Sequence, residues 1–204
     1  MKNKICWIDT ETTGVTSKHG VIQISSLMED NYKIIDNLNL FIQPLKNDLI
    51  DDEALAVHGY SREDIANFTE APSAMVLFQS YLSRYVNKFD KKDKLILAGY
   101  NINFDKDRVR DFFTKQGDKF FGSWFFWPTI DVTSLLAEYM VHSGVQLENY
   151  KLGTVCKHFG IEINAHDALS DIIATRDLYK LLRNEITNYV VWDNPMQQER
   201  RPNL

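Results

Sequence analysis

The segment Ile5-Cys-Trp-Ile-Asp-Thr-Glu-Thr-Thr-Gly14 constrains the fold more than any other stretch of the chain. Its first four residues are all apolar, which predicts a strand covered on both faces. Asp9 and Glu11 follow. Residues two apart on a strand point to the same face, so both carboxylates project together from the end of a buried strand. Neighbouring carboxylates repel, and an unpaired buried charge is strongly destabilising. A cation between them resolves the conflict, and all-oxygen ligands favour magnesium or manganese over zinc. The pair alone is weak, because 28 acidic residues in 204 supply about four acid-x-acid pairs by chance. Its placement gives it weight. It ends a buried strand and runs into Thr12-Thr13-Gly14, a tight turn with hydroxyls and free amides.

Two more strands are predicted, over Val21–Met28 and Tyr32–Ile42, and Glu29-Asp-Asn31 between them suggests an antiparallel meander. Ser61-Arg-Glu-Asp64 has the form of a capping box with Asp in place of Glu. Pro72 marks the first turn of a helix with apolar positions Met75, Phe78, Leu82, Tyr85, Val86 and Phe89. Leu95–Ala98 reads as a short buried strand. Helices are expected over 106–115, 131–141, 152–159 (closed by Gly160) and 169–186. Strands followed by mixed strands and helices predict one α/β domain over residues 1–186, a central mixed β-sheet flanked by α-helices. The polar stretch 187–204 reads as a frayed or partner-binding tail.

Two further clusters carry chemistry. In Ala98-Gly-Tyr-Asn-Ile-Asn-Phe-Asp105 a short strand ends in a turn and Asp105 opens a helix. Asp105 reads equally well as a helix N-cap, and Asn101 as a plain turn residue. In Asn164-Ala-His-Asp-Ala-Leu-Ser-Asp171, Asp171 falls at the start of the last helix. His166 lies five residues earlier, about 140° away on a continuous helix, so it is expected on the preceding loop, free to swing beside Asp171. The plain alternatives are a surface histidine and a solvated aspartate.

These pieces together resemble the DEDDh family of 3′→5′ exonucleases, which includes the proofreading exonuclease subunits of bacterial replicative polymerases, ribonuclease T and oligoribonuclease. Asp9-Thr-Glu-Thr-Thr-Gly14, Asn101-Ile-Asn-Phe-Asp105 and His166-Asp-Ala-Leu-Ser-Asp171 match its three motifs in order. Ala56-Val-His-Gly-Tyr60 and Asp131 are also similar to its segments, and the resemblance spans residues 4 to 184. It implies a ribonuclease H-like fold and two divalent cations, Mg²⁺ or Mn²⁺. Asp9 would bridge both, Glu11 and Asp171 would complete one site, and Asp105 would hold the other. It makes His166 the general base. Thr12 and Thr13 would meet the terminal nucleotide through amides or hydroxyls, and His58, Asn101 and Phe104 lie on the substrate side. His58 could equally cap a helix carbonyl, and Phe104 is better read as core packing.

The net charge of −5 argues against broad clamping of duplex nucleic acid. It suits short or single-stranded 3′ ends; single-stranded DNA and short RNA are both compatible with the residues, and a DNA exonuclease is the expectation adopted. No apolar run is long enough to cross a membrane. Cys6 and Cys156 match no zinc spacing or redox pair, so they are read as free thiols in a reducing, cytoplasmic setting. A polymerase partner or a homodimer is not indicated, and a stand-alone enzyme is expected. The competing class is a nucleic-acid-binding scaffold that has lost the chemistry. His19, His142 and His158 are read as surface residues. Phe120-Phe-Gly-Ser-Trp-Phe-Phe-Trp127 is expected to be mostly core, with one or two rings left over for base stacking, Trp124 or Trp127 being the candidates.

Overall fold

The computed structural model describes residues 4–163 and 168–192. It begins with the meander: β1 (Ile5–Thr12), β2 (Val21–Asp30) and β3 (Lys33–Gln43). Two short helices follow, α1 (Asp52–His58) and α2 (Arg62–Ala66), then β4 (Thr69–Glu70) and α3 (Ala71–Ser83). The remainder alternates: β5 (Ile96–Gly99), α4 (Ile102–Lys115), α5 (Phe121–Trp124), β6 (Ile130–Asp131), α6 (Val132–Ser143), α7 (Leu152–His158) and α8 (Ala168–Trp192). The sheet order is β4-β3-β2-β1-β5-β6. β2 runs antiparallel to β1 and β3, while β1, β5 and β6 are mutually parallel. This is the mixed α/β sheet expected from the sequence. Among the described residues no helix is long and apolar enough to cross a membrane.

Both faces of the sheet are covered, which is why Ile5–Ile8 is continuously apolar. Cys6 and Ile8 pack with Phe78 and Leu82 of α3 and with Val109 and Phe113 of α4. Trp7 points the other way, into a second core with Val132 and Leu136 of α6, Val155 of α7, and Ile172 and Leu178 of α8. Both cysteines are free and buried.

The local signals hold where their chemistry is local. Ser61 and Asp64 form the reciprocal capping box of α2. Pro72 sits in the first turn of α3. That helix stops at Ser83, however, so Tyr85, Val86 and Phe89 lie beyond it, and Phe89 is 85% exposed. α4 starts four residues before Lys106, and α8 runs on from Ile186 to Trp192.

α8 is fastened to the sheet by a buried ion pair. The Arg176 Nε donates to Glu29 Oε2 at the end of β2, and its Nη2 donates to the Tyr32 carbonyl at 2.8 Å. The Trp7 indole N–H donates to the same Glu29 oxygen at 3.2 Å. Glu29 and Arg176 are 3% and 7% exposed. Breaking such a pair strands a charge in the interior. Arg176→Met is therefore expected to lower stability by about 3–5 kcal/mol, with much of the loss restored when Glu29→Gln is added. Urea unfolding of the single and double variants measures both; equal losses would show that no charge is stranded.

Candidate active site

The carboxyl ends of parallel strands are where α/β sheets present their binding residues. Asp9 and Glu11 lie at that end of β1, on the face α8 covers. The β1–β2 register slips between Glu11 and Thr12, an irregularity of the kind that re-aims side chains beside active sites.

Asp105 arrives from the neighbouring β5–α4 turn. It is not an N-cap. It lies inside the first turn of α4, 4% exposed, and its Oδ1 accepts from the Thr10 amide at 3.0 Å and the Thr10 hydroxyl at 2.7 Å. The N-cap place belongs to Asn101, whose left-handed backbone (φ 58°, ψ 45°) is one that asparagine adopts with little strain. Its side chain makes no cap bond. Its amide donates to Asp131 Oδ1 at 3.1 Å, and that oxygen also caps α6 through Thr133. Asn101 and Asp131 thus shape the turn that delivers Asp105.

Asp171 comes from the first turn of α8, half-buried. It is close enough to raise the pKa values of both Asp9 and Glu11. His166 and Asp167 lie outside the described residues.

Electrostatics ties the four acids into one site. Burial, then the charges of Asp105, Glu11 and Asp171, pushes Asp9 well above the usual carboxylate range. Burial and then Asp171 push Glu11 up to about 7. Burial also carries Asp105 up to about 7, against the lowering effect of the two Thr10 bonds. Among the described residues, no three Asp, Glu, His or Cys side chains stand close enough to ligate one ion as they are. Convergence requires a cation to offset the repulsion. Four carboxylate donors, three of them pushed up both by burial and by neighbouring acids, fit a hard divalent cation in chemistry.

The turn after Glu11 is held from within. The Thr12 hydroxyl donates to the Gly14 carbonyl at 2.8 Å. Thr13 is fully buried; its hydroxyl donates to Leu49 O at 2.5 Å and accepts from the Gly20 amide at 2.8 Å, and its own amide donates to Gly20 O. Sequence reading missed His19, placing it on the surface. It is 8% exposed, with Nδ1 accepting from the Thr16 amide and Nε2 at 3.0 Å from Asp51 Oδ2. A Cβ on Gly14 would stand 2.4 Å from the His19 ring, so only glycine lets the imidazole close the turn.

His58 ends α1 but caps no carbonyl. Its Nδ1 accepts from the Tyr60 amide at 3.1 Å, its ring stacks on Tyr60, and burial lowers its pKa, which keeps the imidazole neutral. Nε2 is buried and has no partner among the described residues. Phe104 is only half-buried, under the Arg108 guanidinium, and joins neither core. In the aromatic run, Phe121, Trp124 and Phe125 are core, while Phe120 and Trp127 are 68% and 84% exposed. Trp124, at 2% exposure, is unavailable for stacking.

The chain as a whole is similar to known sequences and structures. The profile of the RNase_T family of exonucleases matches residues 6–179, and the chain belongs to that family. It is 24% identical over 186 residues to the PolC-type DNA polymerase III of Ureaplasma parvum, covering 88% of this chain and 11% of that one. It is 30% identical over 205 residues to exodeoxyribonuclease I of Buchnera aphidicola, covering 90% of this chain and 40% of that one. The fold is that of exonuclease I. A zinc-bound complex of the E. coli enzyme with single-stranded DNA superimposes with a TM-score of 0.76 at 19% identity, over 94% of this chain and 43% of that one. Exonuclease I from Methylocaldum szegediense gives 0.75 at 20% identity, over 93% and 42%. The chain thus spans less than half the length of these relatives. The ribonuclease H-like architecture expected from the motifs is the one observed.

Proposed function

We propose that the chain is a metal-dependent 3′→5′ exonuclease that removes nucleoside 5′-monophosphates from single-stranded DNA. The observation that carries this reading is the gathering of Asp9, Glu11, Asp105 and Asp171 from three elements at one strand end, close enough that Asp105, Glu11 and Asp171 all push Asp9 up and Asp171 pushes Glu11 up. Asp9 would contact both ions, Glu11 and Asp171 one, and Asp105 the other. When bound, two Mg²⁺ or Mn²⁺ ions would activate the attacking water and neutralise charge on the phosphate and the departing 3′-oxygen.

The chain's own groups do the rest. His166 takes the proton of the water as its oxygen bonds to phosphorus and the P–O3′ bond breaks. Thr10 fixes Asp105 by two hydrogen bonds. Asn101 shapes the turn before it. The Thr12–Gly14 turn and Phe104 border the terminal nucleotide, and the neutral His58 offers Nε2 as a donor to it. The catalytic unit expected over residues 1–186 is extended to Trp192, where α8 ends, and the polar residues after it are taken as a tail.

Exonuclease I relatives crystallised with single-stranded DNA support DNA as substrate. The PolC relatives support a polymerase-associated role, and one exonuclease I structure includes SSB, the partner its description names. Short RNA is the alternative substrate, and an inactive binding scaffold the alternative class. Incubating 3′-labelled DNA and RNA single strands with magnesium, with and without chelator, separates them. Chelator-sensitive mononucleotide release, faster from DNA, is expected; no release would reject the enzyme. His166→Ala should slow release by about 10²–10⁴-fold, as for the loss of a general base. A smaller change would remove His166 from that role.

A further inference from the structure

Outside the carboxylate cluster, one groove departs sharply from the acidic character of the chain. It runs along the outer side of α4 and is lined by Lys94, Lys106, Arg110, Lys119, Phe126 and Trp127. Four cations meet one carboxylate, Asp118, among the described lining residues, whereas the whole chain has 23 basic and 28 acidic residues. Asp118 is engaged elsewhere, with Oδ2 accepting from Gln79 Nε2 and Oδ1 from the Phe120 amide. Arg110 has an ion pair to Asp107 at 3.2 Å, exposed and therefore weak. Lys119 is exposed, and Trp127, 84% exposed, has the Lys106 ammonium 5.7 Å from its ring centre.

The groove also has a direction. Lys106, Arg110 and Thr114 recur every four residues and so share one face of α4, a stripe of roughly 12 Å at 1.5 Å per residue. Lys106 is the residue after Asp105. The near end of the stripe is therefore at the carboxylate site, and its length matches about three to four nucleotides stacked at ~3.4 Å.

We propose that this groove holds the single-stranded nucleic acid immediately behind its 3′ end, with phosphates on Lys106, Arg110 and Lys119 and a base stacked on Trp127. A charged track beside an exposed ring binds single strands without reading sequence, because every base has a face to stack. It also reconciles an acidic chain with a polyanionic substrate, because the attraction is local. The proposal rests on the exonuclease reading for which end of the strand occupies the groove.

The test compares a 12-nucleotide single strand with a dinucleotide, which is too short to run along α4. In Trp127→Ala the ratio of kcat/KM on the 12-mer to that on the dinucleotide should fall about 10- to 100-fold, the range for one lost base stack, and Trp127→Phe should restore most of it. In Lys119→Ala the salt dependence of KM on the 12-mer should lessen by about 0.7 in log–log slope, one phosphate contact. Wild-type ratio and slope in both variants would overturn the groove. Fluorescence anisotropy of a labelled 12-mer, in chelator, decides the matter apart from turnover. If the wild type binds the 12-mer in chelator but releases no mononucleotide from any substrate in magnesium, and Trp127→Ala binds at least tenfold more weakly, the groove stands and the exonuclease reading falls. If Trp127→Ala binds like the wild type, the groove falls whether or not the enzyme is active.

Discussion

Asp9→Asn is expected to abolish turnover while making the metal-free protein more stable. The two effects have one cause. Asp9 is the acid that the other three all act upon, and burial adds to their repulsion, so its carboxyl is held well above the normal range. An amide keeps the shape and removes the charge. The fold loses a repulsion, and the site loses the only ligand assigned to both ions. A loss of roughly 10³-fold or more in kcat is expected, the scale seen when one member of a unit acting together is removed. In chelator the melting temperature should rise by several degrees, at about 2–4 °C per kcal/mol for a chain of this size. Activity assays and thermal melts on the same preparation read both. A variant that loses activity and also melts lower would show that Asp9 supports the fold, and the assignment would fail.

The second large effect is a pH dependence that divalent cations erase. Glu11 and Asp105 titrate near 7 in the folded chain, and in the unfolded chain at the ordinary values near 4. A raised pKa means that the folded state holds its proton longer. The stability contribution is complete below the unfolded value and is lost as pH rises through the folded one. Each such carboxyl costs the metal-free fold on the order of 3 kcal/mol at pH 8 relative to pH 4. The protein in chelator should therefore melt several degrees lower at pH 8 than at pH 5.5. Millimolar magnesium, which binds the ionised carboxylates, should reverse most of the fall at pH 8 and have little effect at pH 5.5. Melts at the two pH values, with magnesium and with chelator, check the sign. Equal melting in chelator at both values would refute the electrostatic account of the site.

Legibility in the sequence followed the range of the interactions. β1 was readable because a run covered on both faces needs no partner to be recognised, and the same-face placement of Asp9 and Glu11 is a property of any strand. The capping box at Ser61 is equally local. Asp105 was ambiguous because its deciding contact, Thr10, is 95 residues away in the chain. His19 was misread for the same reason: Asp51 and the loop that buries it are distant in sequence. Within Phe120–Trp127 no periodicity separates core from surface, and only the packed structure tells Trp124, at 2% exposure, from Trp127, at 84%. The end of α3 was overrun because apolar residues continue past Ser83, and apolar pattern alone does not stop a helix.

The clasp between Glu29 and Arg176 has a consequence for synthesis. Its two residues are 147 positions apart, so it closes only after α8 has been made. A nascent chain holds Asp9 and Glu11 first, then Asp105, and gains Asp171 only once α8 has been made. Docking that helix is a long-range event, slow to form relative to the hairpins made first. A copy in which α8 has not yet docked therefore carries three of the four acidic ligands without the helix that completes them, and is expected to leave nucleic acid uncut until that docking.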